Sequence, residues 1–393
     1  MAGIYIHIPF CRQACHYCNF HFSTSLKYKN DFVAALLKEM ELRRDYIAGE
    51  PVETIYFGGG TPSLLEASEL EAIMDGLRSR FLIAVDAEVT LEANPDDFQI
   101  ERLRAWKKAR INRLSIGIQS FFAADLEWMN RAHDAGQAGE SIRMAQGEGV
   151  ENISIDLIYG GPTLPDDHWK YNVDEAIRLG IPHLSCYALT VEPRTALDKM
   201  IHQHKKQDVD PDDQARQFLL LMDWTAAAGY EHYEISNFAK PGMRSRHNSS
   251  YWQGKTYLGL GPSAHSYNGV SREWNVANNA RYINAMGGVA EGMIVVDPNP
   301  AGAIVEREML TPVQRLNEYI MISLRTMEGC DLGVVADRWG EEAVAGLKGK
   351  AAFYIDGKKM KKLDNRLILT KEGKLLGDGI TAALFWDDKN DRQ

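Results

Sequence analysis

The chain has 393 residues, 45% of them apolar and 25% charged, a balance that suits a globular protein and not a disordered, collagenous or disulfide-stapled one. With 44 basic and 54 acidic side chains it carries a net charge of −10, which argues against broad nucleic-acid binding. No apolar run approaches the roughly 18 residues of a membrane span. The opening MAGIYIHIPFCRQAC lacks a cationic region followed by an apolar segment and a cleavage site, so no signal peptide is expected. The length suits one large domain and a smaller one. Cys11, Cys15, Cys18, Cys186 and Cys330 are odd in number. Without a secretion signal they do not suggest a disulfide framework and fit a reducing, cytoplasmic setting.

In chain order, residues 3–8, 53–57, 88–92, 113–118, 153–158 and 184–189 form short β-like runs. Helical patterns separate them, such as 31–42 with Phe32, Leu36 and Met40 on one stripe. Strands alternating with helices predict βα units on a parallel sheet. Glu88, Thr90 and Glu92 alternate with apolar residues, as do Arg113, Ser115, Gly117 and Gln119, and then Ser154 and Asp156. Side chains alternate faces along a strand, so one face of this sheet is polar. A closed eight-stranded barrel fills its lumen with branched apolar residues. A partial, open barrel of six βα units with a hydrated, ligand-filled lumen is expected instead.

Beyond it, 212–230 predicts a helix, and 233–274 is rich in aromatics and glycine without a clear period. Thr311 and Pro312 open another helix as N-cap and first helical residue. Val313, Leu316, Ile320 and Leu324 supply its stripe and Gly329 its stop. The tail 363–385 predicts short strands and a helix. The expected division is a barrel over 1–230, an aromatic-rich connection over 231–305 and a small α/β module over 306–393.

The sharpest motif is Cys11-x3-Cys15-x2-Cys18, placed just after the first strand, at the end where barrels carry their active sites. Zinc prefers four ligands, and His16 or His21 could supply the fourth. A 4Fe–4S cluster normally takes four cysteines; three leave one iron open to a small molecule. This spacing is the signature of the radical S-adenosylmethionine (SAM) family, which the chain resembles. The resemblance implies a partial (βα)6 radical SAM barrel. It also implies a cluster on Cys11, Cys15 and Cys18 whose open iron holds the amino and carboxylate groups of SAM.

Further segments resemble the oxygen-independent coproporphyrinogen III oxidase-like branch: Tyr5 to Cys11, Phe57-Gly58-Gly59-Gly60-Thr61-Pro62, Leu91 to Pro95 and Ser115 to Phe121. The likeness extends to a HemN C-terminal-like module around residues 316–325. It implies that Gly59, Gly60, Thr61, Glu92, Gln119, Arg131, Asp156 and Ala188 contact SAM. Arg131 would take the methionine carboxylate, because a guanidinium suits a carboxylate, with Glu92 and Asp156 for donor groups. Tyr5 and Tyr17 would pack on the cluster or the adenine.

Within this branch the oxidases carry a further cysteine where this chain has Phe20, and a longer segment before the motif. His247-Asn248-Ser249-Ser250-Tyr251-Trp252 matches the HNxxYW pattern of the branch's heme chaperones. That match implies heme contact by His247, Tyr251 and Trp252, with His265 as a second candidate ligand. The expected function is therefore a heme chaperone with a 4Fe–4S cluster and SAM. Its partners would be heme and acceptor proteins, membrane-bound respiratory cytochromes among them, with no nucleic acid. A homodimer and a peripheral place at the inner membrane face are compatible with this. The alternative is oxidative decarboxylation of coproporphyrinogen III.

Overall fold

A computed structural model describes residues 1–288 and 304–387. Six parallel strands form its centre: β1 (Ala2–Ile8), β2 (Val52–Gly59), β3 (Ile83–Ala93), β4 (Arg113–Gln119), β5 (Ile153–Tyr159) and β6 (His183–Ala188). They are hydrogen-bonded neighbours in chain order. Each contains or overlaps one of the runs expected from sequence. The largest extension is at β3, which begins at Ile83, five residues before the predicted start.

The aromatic-rich stretch is not loop. It supplies β7 (Glu231–Glu234), β8 (Asn237–Ala239), β9 (Tyr257–Leu260), β10 (His265–Tyr267) and β11 (Ser271–Asn275). With β12 (Val305–Met309) these extend the same sheet in the order β12-β11-β10-β9-β1 to β6-β8-β7. The edges β12 and β7 lie at opposite ends of that order, so the sheet is open. Short strands broken by glycine and polar residues carry too few residues each for a period to show.

Packing explains the two faces. Ile4, Ile6, Ile8, Ile55, Phe57, Leu114 and Ile116 are fully buried or nearly so. They join Phe32, Leu36 and Met40 from helix Lys29–Leu42 in one core. Each such side chain contributes about 1.5–3 kcal/mol by leaving water. The alternate residues Thr90, Arg113, Ser115 and Ser154 are buried too, so the polar face turns inward, as the alternation predicts.

Helix Pro312–Leu324 starts as expected. Thr311 accepts from the Gln314 backbone, and the Gln314 side chain closes a capping box. The helix ends at Leu324, short of Gly329. That glycine has φ +71° and turns the chain into β13 (Cys330–Asp331), where a Cβ would lie 2.3 Å from the Leu367 carbonyl. Leu316, Ile320 and Leu324 form a second core with Val335, Leu347 and Leu367. A small sheet of β13, β14 (Met360–Leu363) and β15 (Arg366–Leu369) completes this module. Backbone bonds from Ile235 to Arg325 (3.0 Å) and from Met327 to Tyr233 (3.0 Å) join it to the edge strand β7.

Candidate cluster and cofactor site

At the carboxyl end of the parallel strands lies a cavity of about 510 Å3. Cys11, Cys15 and Cys18 line one wall, on an irregular loop pinned at both ends. The Cys11 backbone donates to Ser23 (3.0 Å) and the His16 backbone to Met129 (3.1 Å). All three cysteines are free thiols of intermediate burial. Burial raises the pKa of Cys11, and it pushes Cys18 up to about 11, with the charges of Cys15 and Cys11 acting the same way. Cys11 and Cys18 therefore resist ionising until a cation neutralises them. Among the described residues, no three His, Cys, Asp or Glu side chains are grouped for a single metal ion.

Gly59, Gly60 and Thr61 form the next wall. Gly59 has φ +106°, and a Cβ there would lie 2.6 Å from the His7 ring; one on Gly60 would lie 2.6 Å from the Phe10 carbonyl. Only glycine lets this turn sit against the base of the cysteine loop. The Gly60 and Thr61 amides donate to Ile8 (2.8 Å) and Phe10 (2.7 Å).

Opposite them stand the polar side chains of the inward face. Glu92 accepts from Tyr56 Oη (2.8 Å) and from the Gly59 amide (3.2 Å). Burial and the charge of Asp156 raise its pKa to about 7, and burial raises Asp156 to about 6. Arg131 donates to Asn94 Oδ1 (2.8 Å), the Gly117 carbonyl (2.9 Å) and Cys15 Sγ (3.4 Å). Its Nε is buried with no partner among the described residues, a cost of about 1–3 kcal/mol unless a ligand meets it. Gln119 ends β4 with φ +65°, a backbone strain of the sort that accompanies functional sites. These groups fit a zwitterion with carboxylate, ammonium and ribose hydroxyls.

Tyr17, Gly59, Gly60, Thr61, Glu92, Gln119, Arg131, Asp156 and Ala188 thus line one cavity with the cysteines. Tyr5 does not line it; its ring stacks on Tyr56 and His247 deeper in the lumen. Sequence reasoning missed Asn94, which orients Arg131, and Tyr187, Thr190 and Glu192 at the mouth. Asn94 lay within a quoted motif. Tyr187 lies two residues from Ser185 and so follows its face, a signal that strand alternation carried.

The radical SAM superfamily profile matches residues 5–176. The heme chaperone HemW of Mycobacterium tuberculosis (strain ATCC 25618 / H37Rv) is 34% identical over 387 residues, 98% of this chain and 94% of its own. That of Bacillus subtilis (strain 168) is 32% identical over 388 residues, 98% of this chain and 99% of its own. The chain belongs to the HemW family. Among solved structures, the coproporphyrinogen III oxidase HemN of Escherichia coli, a radical SAM enzyme, superposes with a TM-score of 0.82 at 22% identity. The match covers 98% of this chain and 90% of that one, so the fold is shared.

The HNxxYW pattern of the HemW-like sequence falls in helix Arg246–Trp252, where His247 and Tyr251 meet each other and Trp252 packs elsewhere. His247 is 1% exposed. One ring nitrogen pairs with Thr54 Oγ1 (2.8 Å) and the other with Tyr251 Oη (2.8 Å). Its ring stacks on Tyr56 at 4.9 Å, and burial with the Arg113 charge lowers its pKa to about 3. Trp252 instead lies under the Arg325 guanidinium at 5.2 Å, at the junction with the C-terminal module. As placed, His247 has no free nitrogen for iron. His265 is exposed.

Proposed function

We propose that this protein is a heme chaperone of the radical SAM type, binding heme and passing it to acceptor proteins. The observation that carries the reading is identity to heme chaperones along 98% of the chain. The cavity adds chemical support. Cys11, Cys15 and Cys18 would hold the 4Fe–4S cluster. Gly59, Gly60, Thr61, Glu92, Gln119, Arg131, Asp156 and Ala188 would hold SAM, with Tyr17 against them. Reduced and loaded, that pair supplies one-electron cleavage of SAM. The chain's own groups orient the zwitterion, match its charges and keep the thiols together.

Coproporphyrinogen decarboxylation is the weaker reading, because Phe20, 68% exposed at the cavity mouth, stands where the oxidases carry a cysteine. We assign the barrel to 1–230, the connecting region to 231–305 and the C-terminal module to 306–393. Membrane cytochromes as acceptors, a homodimer and a peripheral membrane location belong to the same proposal. No helix among the described residues is long and apolar enough to cross a membrane.

The test is anaerobic reconstitution followed by parallel assays of heme binding, heme transfer to an apo-cytochrome, and coproporphyrinogen decarboxylation. Specific binding and transfer without decarboxylation is expected. Robust decarboxylation with no specific heme binding would overturn the proposal.

A further inference from the structure

The strands β9 to β12 continue the barrel wall beyond β1. One face packs outward: Ser266 and Glu273 are buried, and Glu273 pairs with Arg43, which caps the C-terminus of helix Lys29–Leu42. The other face continues the lumen side of β1. Strand register puts His265 opposite Trp274, and Tyr267 opposite both Arg272 and Tyr257. Directly opposed residues share a face. The Tyr257 and Tyr267 rings are 6.1 Å apart, and those of His265 and Trp274 are 6.2 Å apart.

His265 is exposed, and its ring nitrogens have no hydrogen-bond partner among the described residues. At the far end of the face, helix Pro312–Leu324 brings up Glu318, which pairs with Arg272, and Arg315. Arg315 and Arg338 are close enough to Tyr267 to act on its phenol. Arg315 Nε and Glu318 Oε2 are buried without a partner among the described residues. The face therefore runs from an unengaged imidazole, across three aromatic rings, to three guanidiniums and one carboxylate, Glu318, that pairs with Arg272. A buried guanidinium left short of an acceptor marks a place for an anion.

We propose that heme docks on this inner face of β9 to β12, with His265 as axial ligand and the propionates toward Arg272 and Arg315. Resting on the heme-chaperone reading, the assignment moves the iron ligand away from His247. A ferric porphyrin with two carboxylates is the occupant that this order of groups matches. Imidazole nitrogen binds its iron, aromatic rings cover its apolar disc, and guanidiniums take the carboxylates. In a chain with net charge −10, a basic end to an aromatic face is a specific feature. The iron end lies on the cluster side of the molecule: a Cβ on Gly261, just ahead of β10, would lie 2.5 Å from the His7 carbonyl, and His7 bonds the His21 carbonyl at 2.8 Å, just past the cysteine loop.

The experiment titrates hemin into the reconstituted full chain and reads Soret absorption and electron paramagnetic resonance. The wild type should show a histidine-ligated spectrum. His265→Ala should weaken binding at least about tenfold and lose that signature, with cluster content and SAM binding unchanged. Free imidazole should restore the spectrum of His265→Gly, which a purely structural role would not allow. Arg315→Gln should weaken hemin but not hemin dimethyl ester, whose propionates are uncharged. An unchanged spectrum and affinity in folded His265→Ala, with wild-type binding intact, would overturn this site and leave the chaperone reading standing. Absence of specific hemin binding by the wild type would overturn both.

Discussion

Two ends of one lumen differ in how far the protein satisfies its own polar groups. At the cysteine end, Arg131 Nε has no partner among the described residues, Gln119 is backbone-strained, and two half-buried carboxyls, Glu92 and Asp156, have raised pKa values. Deeper in, around His247, both ring nitrogens are hydrogen-bonded and the ring is stacked. Polar groups held short of partners cost stability and persist where a ligand completes them. Polar groups fully paired rigidify a core. The contrast supports the proposed cofactor binding at the first region and an architectural role for the second, although sequence motifs pointed to both.

The comparison breaks most visibly at the cysteines. Replacing Cys11, Cys15 and Cys18 together by alanine should abolish the cluster in a folded protein, as read by iron and sulfide analysis and by the visible spectrum. Full retention of the cluster would remove the first region's assigned role.

At the other end, His247→Ala should act on stability. It deletes two buried hydrogen bonds and a stacked ring and leaves Thr54 and Tyr251 unpaired, a loss of about 2–4 kcal/mol. Chemical unfolding of the apo-protein measures it. His265→Ala, at an exposed position, should stay within about 0.5 kcal/mol of wild type. Equal stability for the two variants would erase the distinction between a paired core histidine and an open one.

Arg131→Ala sharpens the cofactor side. Loss of a charge-assisted bond should weaken SAM by about 1.5–3 kcal/mol, roughly tenfold or more, while the cluster persists. Equilibrium binding checks it, and unchanged affinity in a folded variant would leave Arg131 as a structural partner of Asn94.

The same contrast shows what was legible in the sequence. Polar–apolar alternation in β3, β4 and β5 exposed the polar inner face, because successive side chains point by turns to the helices and to the lumen. Cys11, Cys15 and Cys18 were legible because their spacing is local. His247 was legible as a motif but not as a partner of Thr54, since that contact joins residues 193 positions apart. Strands β9 to β12 were hidden because three to five residues each give no period. The inner face carrying His265 and Trp274 exists only once they pair.

The smallest expected effect concerns pH, and its sign follows from burial. Glu92 stands at about 7 in the fold, above the carboxyl's ordinary 4.5, and Asp156 at about 6, above 3.8. Both acids therefore hold their protons more tightly folded than unfolded. Apo-protein stability should gain from these groups as pH falls from about 7 towards 4, and lose as pH rises back through that window. Surface carboxylates such as Glu148, whose pKa Arg104 lowers, act in the opposite sense. On the proposed SAM assignment, binding would reverse the preference at Glu92, because an ammonium or hydroxyl donating to it favours the ionised form. Affinity should then rise between pH 6 and pH 8 by somewhat less than about tenfold, the limit for one group titrating near 7. Calorimetry in buffers of different ionisation enthalpy should detect proton release on binding at pH 6.5. Glu92→Gln should weaken binding and flatten the profile; a variant that binds less well yet keeps the full pH slope would transfer the titration from Glu92 to another group.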